Sequence, residues 1–272
     1  MRSGEAVLDA IADAARPAIP VRVAIVLAHP DDETLGCGAL LPRLRDATII
    51  HVTDGAPREG SDAARRGYAA PGAYAAARRT ELEQAVALAG IGPERLLCLG
   101  VPDQGAAFAL ADIARRLLPL MAGAELVLTH AFEGGHPDHD ATAFAVHAAV
   151  RLLGEGAPAV VEMPLYRAGP NGTWLRQSFA GEETEPPRVL APTEDERELK
   201  SRMMAAHASQ TDTLAAFGPA DEPYRQAPHP DFGQLPNGGD LLYERYGWGL
   251  TGTRWLELAE AATRELAPGR RP

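Results

Sequence analysis

The chain of 272 residues is 46% apolar and only 6% aromatic, enough to bury a substantial core that small aliphatic side chains must fill. A formal net charge of −11 without a basic run excludes a surface built to track phosphates, so no nucleic-acid partner is expected. Two cysteines, Cys37 and Cys98, exclude a disulfide framework, and both read as reduced, buried small hydrophobes.

Residues 1–16 carry Glu5, Asp9 and Asp13 and no continuous apolar stretch, which argues against a secretory signal and for a cytoplasmic address. Residues 21–28 (VRVAIVLA) form a β-branched apolar run, long enough for one strand buried on both faces and too short for a membrane span. The string AHPDDE occupies 28–33, and a helical pattern over 33–45 follows. Pro42 falls inside that pattern, which predicts a kink or early end near Leu41. Further along come a strand at 47–53 (ATIIHVT), a helix at 73–89, a strand at 95–99 (RLLCL) and a helix at 106–121. A strand at 125–129 (ELVLT), a loop, the string GHPDH at 135–139, a helix at 138–153 and a strand at 159–163 (AVVEM) complete the alternation.

Strand and helix repeated with short connections predict parallel crossovers. The expected fold is an α/β, three-layer, Rossmann-like sandwich with a mostly parallel sheet of order 3-2-1-4-5. In that order the first and fourth strands are neighbours where the chain reverses direction, and the two strings follow those two strands. Residues 1–163 are therefore expected to form the metal-binding core. Residues 164–272 read as a loop-rich C-terminal lobe with one helix at 194–207, packed on the core and lining the substrate cleft within a single structural domain. The lobe segments 164–193 and 217–252 hold Tyr166, Trp174, Phe179, Tyr224, Phe232, Tyr243, Tyr246 and Trp248. Such aromatics either wall a cleft or pack the loops onto the core, and sequence does not separate the two.

The two strings share a His-Pro-Asp core. His29 and Asp32, three positions apart at a strand exit, can converge on one point, and His139 falls in the first turn of a helix. There the macrodipole favours the neutral, ligand-competent imidazole. Two imidazoles and one carboxylate leave a coordination position open, the arrangement of a catalytic zinc site. Asp31 is then free to act as a general base. His136 is free to stabilise an oxyanion or protonate a leaving amine, with Asp138 orienting it. Helix capping by Asp31 or Asp32 and a turn with Pro137 at the first helical position would explain either string alone. Two such strings at adjacent strand ends favour the metal site. His51, His130, His147, His207 and His229 lack comparable context and read as core or surface histidines, with His130 alone near enough to the second string to buttress a ligand.

At these residues the chain resembles the PIG-L/LmbE-like family of metal-dependent N-deacetylases, whose signature is AHPDDE followed much later by HPDH. Thr53-Asp54-Gly55, RRTEL at 78–82, LGVPD at 99–103 and the stretch 200–210 ending His207-Ala208-Ser209-Gln210 also match, so the resemblance runs from about residue 21 to 210. It implies zinc (Zn2+, with Fe2+ as the other candidate) at His29, Asp32 and His139, a base at Asp31, a transition-state or acid role for His136, and substrate contacts at Arg78 and Asp103. The implied substrate is a small amino-sugar conjugate of N-acetylglucosamine type, cleaved to acetate and a free amine. Some relatives carry a tyrosine where this chain has Gly134, which leaves a late-loop residue to supply that hydroxyl. Rival readings are an amidase for a larger acyl group, a sugar-binding protein without catalysis, and a non-haem iron oxygenase using His29, Asp31 and a later histidine. A nucleotide-binding protein is disfavoured because HPDDETLGCG lacks the Gly-x-Gly-x-x-Gly spacing.

Overall fold

β-branched and aliphatic residues buried on both faces set the centre of the molecule, a seven-stranded sheet in a computed structural model that describes residues 4–13, 18–44, 46–180 and 186–267. In chain order the first half comprises α1 (Gly4–Ala12), β1 (Val23–Leu27), α2 (Asp32–Cys37), β2 (Thr48–Thr53), α3 (Ser61–Arg65), α4 (Pro71–Leu88), β3 (Leu96–Val101), α5 (Leu110–Met121) and β4 (Leu126–His130). The second half comprises α6 (Pro137–Leu153), β5 (Ala159–Met163), β6 (Tyr166–Ala168), β7 (Trp174–Arg176), β8 (Arg188–Leu190), α7 (Glu194–Ala206), α8 (Thr211–Leu214), β9 (Glu222–Gln226), α9 (Leu242–Arg245) and α10 (Gly252–Glu265). The sheet order is β3-β2-β1-β4-β5-β9-β8, so the expected 3-2-1-4-5 core is present and all of its pairs are parallel.

Side chains alternate across β1. Ala24 and Val26 join a core cluster with α5, α6 and α10, whereas Val23, Ile25 and Leu27 join a second cluster with α1, α4 and α7. These two clusters are the two interfaces of a three-layer sandwich. The alanines of α6 (Ala141, Ala143, Ala145, Ala148 and Ala149) are all buried, because small side chains let that helix approach the sheet closely.

Three expectations are corrected. Residues 188–190 and 222–226, expected as loop in the C-terminal lobe, extend the sheet as antiparallel strands: β9 pairs with β5, and β8 with β9. α2 ends at Cys37, before the predicted break near Leu41, and Pro42 instead lies in a short 3-10 turn over Leu41–Arg43, where its missing N–H is tolerated. Cys98 is exposed because β3 is an edge strand; Cys37 is buried as expected. Gly4–Ala12 forms a helix that buries Val7, Leu8 and Ile11. Residues 1–3, 14–17, 45 and 181–185, within the N-terminal, first-helix and late-loop expectations, lie outside the described residues, as do residues 268–272.

The early end of α2 has a long-range cause. Glu222 on β9 accepts hydrogen bonds from the backbone N–H groups of Ala39 (2.8 Å) and Leu40 (3.1 Å) and from the Tyr224 hydroxyl (2.9 Å). It also pairs with Lys200 of α7 at 2.7 Å, both side chains being fully buried. Removing one partner strands the other charge in a dry interior. Lys200→Met is expected to lower the unfolding free energy by about 3–5 kcal/mol, read from urea titration, and a loss below about 1 kcal/mol would remove this pair as a pillar of the fold.

Candidate metal centre

The turn after β1 and the loop before α6 meet where β1 and β4 run side by side. Asp32 fixes the first turn by accepting the His29 N–H at 2.7 Å. Asp31, between them, adopts φ 131 and ψ −23, a region that costs a non-glycine residue about 1–3 kcal/mol. Glu33 clamps it there: its Oε2 accepts the Asp31 N–H (3.0 Å) and meets His51 Nε2 (3.1 Å), and its Oε1 accepts the Thr34 hydroxyl (2.7 Å) and faces His207 Nε2 (3.3 Å). Burial alone would raise the Glu33 pKa, but the hydrogen bonds and charges of His207 and His51 hold it well below the usual carboxylate range.

Before α6, the chain turns at glycines for which no other residue substitutes. A Cβ on Gly135 would lie 1.9 Å from the Tyr166 carbonyl oxygen. Gly134 has φ +75, and a Cβ there would come within 2.8 Å of Leu241. A side chain at 134 would have to displace Leu241 and hold a left-handed backbone. Asp140 Oδ1 accepts the N–H groups of Glu133 and Gly134, both at 3.1 Å, and fixes the loop.

The donors converge. His29 Nδ1 lies 3.3 Å from His139 Nε2 and 3.5 Å from Asp32 Oδ2, and His139 Nε2 lies 3.4 Å from Asp32 Oδ1. Roughly 3.4 Å is the donor–donor spacing around an ion with tetrahedral bonds of about 2.1 Å, the zinc value for nitrogen and carboxylate oxygen, and Asp32 presents a different carboxylate oxygen to each imidazole. On its other side His29 Nε2 meets Asp138 Oδ2 (3.2 Å) and Asp103 Oδ1 (3.3 Å), the carboxylate support typical of a ligating imidazole. His29, His136 and His139 also lie close enough to share an ion, as do Asp32, His130 and His139. Burial pulls the His29 pKa down, but Asp103, Asp138 and Asp32 together hold it well above the ordinary value. A pocket that enforces a positive charge on a buried imidazole is one whose acids call for a cation. Burial, opposed in part by Asp32, brings His139 down to about 4, so that ring is neutral and able to coordinate. The residues therefore fit a divalent ion.

One contact differs from expectation. The carboxylate of Asp138 does not orient His136: it accepts the N–H groups of Gln104 (2.6 Å) and Ala106 (2.9 Å) and faces His29, and the backbone N–H of Asp138 donates to His136 Nδ1 at 3.2 Å. Arg78, expected to reach substrate, lines the cavity while donating to Gly55 O (2.6 Å), Pro30 O (2.7 Å) and Asp31 Oδ2 (3.0 Å). Asp103 lies inside the centre, 3.9 Å from His136 Nε2 as well as beside His29. Although burial would raise its pKa, His29 and the neighbouring His136 and Arg78 hold it well below the usual range.

Burial raises Asp31 to about 6, with Arg78 pulling it down and Asp32 pushing it up. Burial and the nearby His29 lower His136 to about 3; it is neutral, and because Nδ1 accepts from backbone, its proton sits on Nε2. The sequence reading gave Glu33 no role of its own and took His51 and His207 for core or surface histidines. Three consecutive acids after a buried strand were the available signal, since one base and one ligand leave Glu33 without a role. His130 buttresses the turn directly, accepting the Ala28 N–H at 2.9 Å, 3.3 Å from Asp32 Oδ2 and stacked on His139 with centroids 4.1 Å apart.

The centre opens into a cavity of about 660 Å³ whose outer wall includes Tyr166, Trp174, Phe217 and Trp248. The late-loop aromatics thus divide: these four face the cleft, whereas Tyr224, Tyr243 and Phe232 pack into the core. Among the described residues, no helix is long and apolar enough to cross a membrane.

Residues 24–150 match the family described as GlcNAc-PI de-N-acetylase, PIG-L. A curated relative, the probable N-acetyl-alpha-D-glucosaminyl L-malate deacetylase 2 of Bacillus subtilis (strain 168), is 27% identical over 199 residues, covering 71% of this chain and 84% of that protein. The solved pseudoaglycone deacetylase Dbv21 aligns with a TM-score of 0.58 at 22% identity, over 76% of this chain and 98% of that one. The N,N'-diacetylchitobiose deacetylase of Pyrococcus horikoshii aligns with a TM-score of 0.51 at 19% identity, over 83% of this chain and 91% of that one. At those identities the two structures speak for a shared fold.

Proposed function

We propose that the protein, whose residues 24–150 match the PIG-L family, is a metal-dependent N-deacetylase acting on an N-acetylated amino sugar of N-acetylglucosamine type. The observation that carries the reading is the convergence of His29, Asp32 and His139 donors at 3.3–3.5 Å beside the unligated Asp31. These three residues would hold the ion, zinc by donor type, with ferrous iron accepting the same set. When bound, the ion supplies Lewis acidity at the amide carbonyl and eases ionisation of the attacking water.

The chain's own groups carry the rest. Asp31 takes a proton from the water as its oxygen bonds to the carbonyl carbon, and gives that proton to the nitrogen as the C–N bond breaks, leaving acetate and an amine. His136 points its Nε2–H at the cavity and donates to the developing oxyanion; a ring this hard to protonate is a hydrogen-bond donor at neutral pH and not a proton donor. Tyr166, against the His139 ring at 5.2 Å, is the late-loop candidate for the hydroxyl that Gly134 lacks. Burial and the facing Asp32, Asp31 and Asp103 carboxylates push its pKa up and keep the O–H intact. Asp138 and Asp103 hold His29. An iron triad through Asp31 is disfavoured because Asp31 Oδ2 is held by Arg78 while Asp32 spans both imidazoles.

The test is incubation of zinc-loaded and iron-loaded protein with a panel of N-acylated amino sugars, scoring liberated primary amine and the acid released. Acetate from an N-acetylglucosamine conjugate is the expected result; a longer acid alone would make it an amidase, and no amine from any member would overturn the reading. Protonated Asp31 cannot accept a proton, so kcat/KM is expected to fall as pH drops through an apparent pKa at or below about 6. Arg78 favours the charged carboxylate, so Arg78→Met should move this acid limb to higher pH; a limb that stays in place would separate Arg78 from Asp31.

A further inference from the structure

Tyr166, Trp174 and Arg176 lie on one face of a small antiparallel ribbon, β6 and β7, beside the metal centre. Tyr166 is directly opposite Arg176, and Trp174 is two residues away on the same strand, so strand periodicity turns all three to the same side. All three line the cavity. The base of the ribbon is fastened on both strands. Glu133 Oε1 accepts the N–H groups of Leu165 (2.7 Å) and Tyr166 (3.2 Å); Gln177 donates from its backbone to Leu165 O (2.9 Å) and from its side chain to Leu35 O (3.2 Å). The Tyr166 and Trp174 rings stack with centroids 5.1 Å apart, and Trp174 Nε1 donates to the Tyr246 hydroxyl at 2.9 Å.

Arg176 differs from the other arginines of the cleft. Arg78 is paired with Asp31, Arg65 with Asp62 (2.9 Å) and Arg66 with Asp212 (3.5 Å). Arg176 has no carboxylate partner among the described residues. Its guanidinium carbon instead lies 5.7 Å from the Trp174 ring centroid and 5.6 Å from that of Phe217. Two rings restrict the planar fork and satisfy none of its donors, and this in a chain with 37 acidic residues to 26 basic ones. A pre-positioned guanidinium with open N–H edges matches the paired oxygens of a carboxylate or a phosphate.

We propose that Arg176, with Trp174 as its platform, is a specificity-determining residue that binds an anionic group, a carboxylate or a phosphate, on the part of the substrate remote from the scissile amide. The inference rests on the N-deacetylase reading and deepens it: the substrate class is an acidic conjugate of the amino sugar. The cation–π contacts hold the fork before ligand arrives, so little ordering is required on binding.

The test uses the metal-loaded full chain and three N-acetylglucosamine conjugates on one linker, ending in a carboxylate, its methyl ester or a phosphate monoester. Amine release gives kcat and KM, and calorimetry gives Kd, for the protein and for Arg176→Met and Arg176→Lys. Met keeps the stem on Trp174, and the exposed position leaves the fold intact, checked by circular dichroism. The unaltered protein is expected to favour at least one anionic conjugate over the ester by about tenfold or more, in KM and Kd and not in kcat. Arg176→Met should bring that ratio to within about twofold of unity, with Lys restoring part of it. The favoured arm, carboxylate or phosphate, identifies the anion. A ratio near one, or one unchanged by Met, overturns the proposal. Arg176-dependent binding without amine release would retain the anion site and remove the deacetylase reading; amine release blind to charge would do the reverse, and neither binding nor release removes both.

Discussion

Asp31→Asn is expected to lower kcat by about 10²–10⁴-fold while the bound metal stays at the level of the unaltered protein. The substitution is nearly isosteric, and an amide oxygen still accepts from Arg78, so the turn over residues 29–33 should persist. What is lost is a group whose burial has brought it to about 6, close to the pH at which it must both take and return a proton. Asparagine inherits the same strained backbone at φ 131° that Asp31 already holds, and Glu33 still accepts its N–H, so the turn gives no separate cause for failure. Steady-state kinetics with metal analysis on the same preparation checks the prediction. Near-normal turnover would remove Asp31 from the mechanism, and loss of metal would make it a ligand.

His139→Ala is expected to strip the ion and with it all measurable turnover. Its Nε2 lies within 3.4 Å of both His29 and Asp32 donors, so its removal opens one corner of the set. The affinity should fall by more than the about 10–100-fold that follows loss of an outer hydrogen bond alone. The helix that carries it remains anchored by Asp140 and by a fully buried alanine face, so far-ultraviolet circular dichroism should be unchanged. Metal content equal to that of the unaltered protein would discard the ligand set proposed above.

Much of the centre was legible because its residues are local. AHPDDE and GHPDH each hold their functional side chains within a few positions, and β-branched runs ahead of them mark buried parallel strands. The order 3-2-1-4-5 then brings residues a hundred positions apart into contact, as found for His29 and His139. The roles within each string were less legible. Asp138 and His136 are near neighbours in sequence, yet helix geometry sends the carboxylate to Gln104, Ala106 and His29. His51 has no motif of its own, and the matching stretch that ends at His207 carried no assigned role; both matter because Glu33 stands between them.

By itself the sequence determined the alternation of strand and helix, the two ends at which donors gather, and the donor types suited to a divalent ion. Side-chain period and residue chemistry are carried by adjacent positions, which is why they can be read in a line. Tertiary structure alone decided that Glu222 stops α2 from 183 residues away, that the late segment adds β8 and β9 to the sheet, and that Arg78 pairs with Asp31 in the wall of the cleft. It also set Arg176 beside two rings, with no carboxylate partner among the described residues. Those outcomes depend on which buried polar groups find partners across the folded core, a condition on three-dimensional proximity that no window of the chain contains.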